Sequence, residues 1–389
     1  MTEHEAIVVG AGIGGLTAAA ALRRVGWNVR VLERARELKP AGGALSLMSN
    51  AVLALRTLGI DLKLEENAEI LYDLHFVTTR GRPIRTLHFA DLCSRLGAPS
   101  FGITRSDLQQ LLLREIGDCP IELRAAVAGF APDGDGVRVG LADGRTLRAD
   151  ALIGADGFHS AVRRQLAGPE VARETGYVCW VATPLFAHPN MPAGYAAHYW
   201  GRGRRFGLAN IGKGRAYWWG TKNMPAPRAR DWPGDKQEIA DTYAGWAPEV
   251  VAAIAETPAA EITAFPAQDR PFREQWGRGP VTLLGDAAHP MMTSLGQGAA
   301  LAMEDAVVLA HHLAGATDVP AALRAYEDAR RPRARKVVET AHSMSKMEQA
   351  ESPLKLLARN AFFRLAPASA LEKQNAELLD FDATASVRT

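Results

Sequence analysis

Two hydrophobic rhythms alternate along the chain. "EAIVVG" is a continuous apolar run, the pattern of a strand buried on both faces, over about residues 5–10. "GLTAAAALRRVG" predicts a helix ending near Gly26, and "NVRVLER" a second strand finishing at Glu33. Apolar residues at helical spacing predict a helix from about Asn50 and another over 103–116, opened by Ser106 or Asp107. Residues 120–153 alternate polar and apolar, with turns at "PDGDG" and "ADGR", and lead into the buried strand of "ALIGADG". Ser160 then opens a helix with Arg163 in its first turn.

The rhythm changes between about 174 and 276. "GYVCWVATPLF", "AAHYWGRGRRFGLANIG" and "GRAYWWGTKN" are aromatic-rich, β-leaning and joined by glycine turns, which predicts an inserted antiparallel sheet. Period-two alternation sets Tyr217 and Trp219 on one face and Trp218 on the other. Such faces more often build core than pocket, but Arg205 and the phenol tip of Tyr217 weigh towards a pocket. "APEVVAAIAET" predicts a helix over 247–257 beside this sheet. "GPVTLLGDAAHP" is an apolar strand ending at Gly285-Asp286, followed by a helix over about 298–312 that Gly315 stops. The remainder reads as helices, with "RRPRARK" from Arg330 a solvated helix end and "LDFDATASVRT" a frayed tail. No internal repeat is present.

This order predicts an α/β fold with an α+β insert: a Rossmann-like domain from 1–70, 100–173 and 277–345, an interleaved substrate-binding sheet from 71–99 and 174–276, and C-terminal helices over 346–389. A net charge of only +2 gives no electrostatic reason to expect nucleic acid or anionic lipid. No apolar run approaches the ~20 residues of a membrane span, so stable membrane insertion is not expected. Cys93, Cys119 and Cys179 lack metal-ligand spacing and, being three, cannot all pair, which fits a reducing cytoplasm. Neither a metal site nor a Ser-His-Asp arrangement is evident.

Chemistry enters through three glycine-marked turns. Gly10, Gly12 and Gly15 form G-x-G-x-x-G between strand and helix, the arrangement that lets a pyrophosphate approach the backbone and a helix N-terminus. Glu33, about 20 residues on, stands where a carboxylate accepts hydrogen bonds from an adenosine ribose. Asp156-Gly157 lies at a strand's carboxyl end, where α/β sheets bind ligands, although a plain Asp-Gly turn is an equal reading. Asp286 can take ribityl hydroxyls, while Gly296 and Gly298 let backbone N–H groups approach a flavin edge. The positive end of the following helix favours negative charge developing there. One dinucleotide needs one such turn. A second anchor suits the longer FAD.

"VVGAGIGGLTAA…VLER", "IGADGFHSAVR" and "LLGDAAHPMMTSLGQGAALAMEDA", in this order and spacing, resemble the class A FAD-dependent aromatic monooxygenases over nearly the whole chain. The resemblance implies the para-hydroxybenzoate hydroxylase fold, tightly bound FAD, and NADH or NADPH as a transient co-substrate. It implies cofactor contacts from Gly10, Gly12, Gly14, Gly15, Glu33 and Arg34, from Gly43 and Ala44, and from Arg105, Asp156 and Gly157. Gly285, Asp286, Gly296, Gln297, Gly298 and Ala299 complete that set. In such enzymes reduced flavin adds O2, and a C4a-hydroperoxyflavin hydroxylates or epoxidises an electron-rich carbon. A flavoprotein dehydrogenase or reductase, or a redox-silent FAD-bound cyclase, are the alternatives. The expected assembly is a monomer or homodimer.

The strand pair around Arg205 and Tyr217 most resembles urate hydroxylases, in which these positions hold substrate. Those enzymes carry Pro-Asp where this chain has Thr293-Ser294, so the acidic partner is missing. The expected substrate is therefore a less acidic, larger phenolic or heteroaromatic molecule, with Arg205, Tyr217 and Thr293 as the catalytic candidates. His289 reads more readily as a structural histidine than as a proton relay.

Overall fold

In the computed structural model, which describes residues 4–38 and 43–385, the apolar run at the start forms Glu5–Val9 at the centre of a five-stranded parallel sheet. The order across this sheet is Val281–Leu283, Ala151–Gly154, Glu5–Val9, Asn28–Leu32 and Ile121–Glu122. Ala6, Ile7 and Val8 are fully buried, as a strand covered on both faces requires. The register pairs Val9 with Gly154 and Gly154 with Leu283. The three glycine-marked turns therefore leave one edge of one sheet side by side, although some 270 residues separate the first from the last.

Helix Ile13–Arg24 packs on this sheet and against Gly298–Leu313. Helices Ser49–Arg56 and Arg105–Ile116 lie where the periodicity sets them, with a corrected cap. Thr104 opens the latter helix, its hydroxyl accepting from the Asp107 backbone at 2.9 Å, because the chain turns out of strand Phe101–Thr104 one residue before Arg105. Residues 127–149 make a three-stranded antiparallel meander.

The inserted unit is a seven-stranded sheet in the order Thr263–Asp269, Arg173–Ala182, Ala216–Asn223, Arg204–Asn210, Tyr195–Trp200, Asp73–Thr78 and Pro83–His88. It is antiparallel except where Tyr195–Trp200 runs parallel to Asp73–Thr78. That junction joins the strands Asp73–Thr78 and Pro83–His88 to the five that lie between Arg173 and Asp269. No hairpin connects them, so nothing forces antiparallel pairing there. One face packs on helix Pro248–Glu256 through Trp180, Trp218, Phe206 and Ile254. Trp218 is fully buried and its indole donates to Thr257 at 2.8 Å, whereas Tyr217 and Trp219 lie on the opposite face.

Two expectations about the C-terminal third are overturned. The arginine cluster is no solvated end: Arg330 and Arg333 sit inside the 30-residue helix Val319–Glu348, which runs through Pro332. Arg330 is buried because Glu304 and Asp305, buried on helix Gly298–Leu313, need its charge. The described part of the tail is not frayed either. Phe381 stacks on Arg330 and Arg333, each 4.8 Å from its ring, and Leu379 and Ala383 are buried. Helices Pro353–Leu365 and Ala368–Leu379 are the last two in the described residues. All three cysteines are buried free thiols. Among the described residues no helix is long and apolar enough to cross a membrane, and no cluster of three or more His, Cys, Asp or Glu side chains could hold a metal.

Candidate active site

The first turn is shaped by close backbone approach. Gly10 has φ +103°, and a Cβ there would lie 2.6 Å from the Ala155 carbonyl oxygen. A Cβ on Gly15 would lie 1.9 Å from the Gly10 carbonyl oxygen, so only glycine lets the helix pack this near the strand. Gly12 has no atom within 4 Å of its Cβ position and leaves open space above the helix N-terminus. Gly14 instead faces Leu284 and Ala302, in the seam with helix Gly298–Leu313. The Glu33 carboxylate accepts from the Ala11 and Ala35 backbone N–H groups, both at 2.8 Å, and Gln109 donates to the Ala11 carbonyl at 3.0 Å. A cavity of about 410 Å³ opens here, lined by Gly10, Gly12, Glu33, Arg34, Asp156 and Gly157 among others.

Asp156 is engaged by its own helix. Its carboxylate accepts from the Ser160 hydroxyl and from the Ala161 N–H at 2.7 Å, while Ser160 caps the helix through Arg163 N. Gly157, with φ +74°, has no atom within 4 Å of its Cβ position. Arg163 is buried and donates from Nη1 to the carbonyls of Ala287 and Ala288, at 3.0 and 2.7 Å. One arginine thus fastens the Asp156 motif to the Asp286 turn.

In that turn Gly285, φ +60°, donates its N–H to Asp305 at 3.0 Å. Asp305 also takes His289 at 2.6 Å and Arg330 at 2.7 Å. Burial pushes its carboxyl up, but His289 and Arg330 outweigh this and hold it down to about 2. His289 thereby clamps the turn. Asp286 is exposed, has no hydrogen-bond or ion-pair partner among the described residues, and lies 3.9 Å from where a Gly298 Cβ would be. Gly296 takes the left-handed conformation at φ +63° and Ala299 is half-buried beside Gly298. The Gln297 side chain turns inward to Asn50, in a buried network with Glu304, so only its backbone faces the turn.

The Tyr217–Trp219 face meets this edge. Gly43, φ +98°, places its Cβ position 3.9 Å from the Tyr217 ring, and its carbonyl accepts from Arg105 N at 3.1 Å. Ala44 is buried beside it, whereas Gly42 lies outside the described residues. The Arg105 side chain is exposed, without a hydrogen-bond or ion-pair partner among the described residues. Tyr217 and Trp219 pack at 5.1 Å, and Trp219 lies over Gly207, where any Cβ would strike the indole. Burial pushes the Tyr217 phenol well above its ordinary range, so at neutral pH it is a hydrogen-bond donor.

Arg205 is fully buried, with Nη1 2.6 Å from Glu348 Oε2 and Nη2 3.5 Å from the Ser294 hydroxyl. Thr293 is exposed in the same short turn, so Ser294 is the hydroxyl nearer Arg205. Glu348, Ser294 and His198 form the inner wall with Arg205. Burial, with Arg205 beside it, lowers His198 to about 3 and leaves it neutral. The sequence reading passed over Glu348. A signal existed: Ser345 and Glu348 continue the Val337, Val338, Ala341 stripe at helical spacing, polar residues on a buried face.

The site fits FAD. Gly12 leaves room at a helix N-terminus, and among the described residues neither the Asp286 carboxylate at a second nor the Arg105 guanidinium near Gly43 has a hydrogen-bond or ion-pair partner. The parallel sheet, its three adjoining turns and the aromatic sheet over them define a flavin-dependent enzyme. The chain belongs to the family whose model is described as FAD binding domain, matched over residues 3–341. It is 36% identical over 375 residues to the aurachin C monooxygenase/isomerase of Stigmatella aurantiaca, covering 96% of this chain and 97% of that one. It is 35% identical to the FAD-dependent urate hydroxylase of Klebsiella pneumoniae subsp. pneumoniae, covering 86% of this chain and 88% of that protein. The crystal structure of Klebsiella pneumoniae HpxO with FAD and uric acid superposes with a TM-score of 0.90 at 31% identity, over 97% of this chain and 96% of that one. The protein is an FAD-dependent monooxygenase, of a family in which NADH or NADPH is the typical electron donor.

Proposed function

We propose that this monooxygenase hydroxylates or epoxidises a small, weakly acidic aromatic or heteroaromatic ring in the space between Tyr217, Trp219, Arg205 and the Thr293–Leu295 turn. The observation that carries this reading is the placing of the Tyr217–Trp219 face against Gly43 and Arg105, at the edge where the flavin anchors converge. Bound FAD supplies the redox chemistry, reduction by NAD(P)H and activation of O2. The chain's residues supply position. Trp219 offers a flat apolar wall, Tyr217 donates a hydrogen bond through its neutral phenol, and Arg205 presents N–H groups. Gly10, Gly12, Glu33, Arg34 and Asp286 would hold the cofactor along the sheet edge. We place the enzyme in the cytoplasm.

The test is aerobic NADH and NADPH oxidation by the holoenzyme, with oxygen uptake followed in parallel, across phenols, N-heterocycles and quinolones. A compound that accelerates both signals and gains one oxygen atom supports the reading. Conversion without NAD(P)H consumption would move it to a redox-silent isomerase or cyclase.

A further inference from the structure

The turn at Thr293-Ser294 carries no acid beside Arg205. The structure supplies one from elsewhere. Glu348, the last residue of helix Val319–Glu348, is fully buried and touches Arg205 at 2.6 Å. The contact joins two charges but does not exhaust them. Arg205 Nε and Glu348 Oε1 have no hydrogen-bond partner among the described residues, and neutral His198 stands 3.9 Å from Oε1. Ser294 faces the guanidinium from the flavin-edge turn. Arg359 lies behind, donating to the Glu348 backbone carbonyl at 3.4 Å with its guanidinium over Trp200.

A buried donor and a buried acceptor, each without a hydrogen-bond partner among the described residues, match a ring that carries both a carbonyl and an N–H. Glu348 also offsets the Arg205 charge, with the Arg359 guanidinium behind the pair. An anionic aromatic acid entering this wall would face the Glu348 carboxylate beside Arg205 and be attracted less than by Arg205 alone, while losing its own hydration. An uncharged lactam-type ring meets neither penalty. We propose that Glu348 is a specificity-determining residue: by offsetting the Arg205 charge, it selects uncharged heteroaromatic rings bearing N–H and C=O groups over anionic aromatic acids. The inference rests on the substrate pocket proposed above.

Two probes test it on the holoenzyme: carbostyril, an uncharged bicyclic lactam, and salicylate, a monoanion at neutral pH. Binding is read from the flavin absorbance change and from stimulated NAD(P)H oxidation. The wild type should bind carbostyril at least ten-fold more tightly than salicylate. Glu348→Gln leaves Arg205 uncompensated and should tighten salicylate at least ten-fold. A folded, flavin-bearing Glu348→Gln protein with an unchanged ratio overturns the proposal.

Should that variant fail to fold, the doubly substituted Arg205→Gln/Glu348→Gln protein removes both charges together. It should weaken carbostyril at least ten-fold and leave salicylate nearly unchanged. Equal or greater weakening of salicylate means that Arg205 alone reads the substrate, and overturns the role of Glu348. A wild type that binds neither probe refutes the pocket itself, a result distinct from a pocket that binds carbostyril but ignores Glu348.

Discussion

Arg163 offers a direct test of how the flavin anchors are coupled. Replacing it with methionine keeps the volume and removes every donor. The Ala287 and Ala288 carbonyls, held at 3.0 and 2.7 Å, would lose a charge-assisted partner in a buried place. Leaving each acceptor unsatisfied costs about 1–3 kcal/mol, so the pair amounts to about 2–6 kcal/mol. Glu170 adds little, being partly exposed and retaining Arg273 at 3.2 Å. If about 2 kcal/mol of this falls on keeping the Asp286 turn in place, FAD affinity drops about thirty-fold. The assay is fluorescence titration of apoprotein with FAD, beside thermal melts of apo and loaded protein. Weakened FAD binding together with a smaller gap between the two melts is the expected result. FAD affinity within three-fold of the wild type, whatever the apoprotein stability, would refute the coupling.

The other predictions concern neighbouring groups. Asp286→Ala should lose flavin on purification, measured as the ratio of flavin to protein absorbance, because no other free carboxylate stands at that turn among the described residues. Tyr217→Phe should retain stoichiometric flavin but lower substrate-stimulated NAD(P)H oxidation about ten-fold or more; a folding defect would instead assign the phenol to the core. Arg330→Met leaves Glu304 and Asp305 buried with a cation removed and should cost about 3–5 kcal/mol in denaturant unfolding. Asp305 sits near 2 in the folded protein, below its ordinary 3.8. Its stabilisation is therefore complete above about pH 4 and is lost as pH falls towards 2. Asp305→Asn should abolish that component of acid unfolding, read as a flatter stability profile between pH 4 and 2.

Local pattern carried the fold a long way, and distance marks where it stopped. The strand–turn–helix at Gly10 and the helix beginning at Gly298 are written within a dozen residues each, so periodicity and glycine spacing reveal them. The parallel pairing of Tyr195–Trp200 with Asp73–Thr78 depends on segments more than 100 residues apart, which no window of sequence compares. Arg330 looked solvated because its neighbours are charged, yet its partners lie on another helix. The pair of Arg205 and Glu348 was hidden in the same way. Which of the Thr293 and Ser294 hydroxyls faces Arg205 depends on the turn's geometry, which no window of sequence shows.

Helix Val319–Glu348 has a consequence for how the protein is made. At about 45 Å long, it brings Arg330 to the flavin turn and Glu348 to Arg205. Glu304, Asp305 and Arg205 are all synthesised before these counter-charges. During synthesis the nascent chain therefore carries three charges destined for burial that it cannot yet bury, and both centres stay open to water. Neither unit can close on its own, however complete its sheet. One helix closes both in order along its length, Arg330 in its first half settling the flavin turn and Glu348 at its end settling Arg205, so the two halves of the enzyme mature in sequence along a single element.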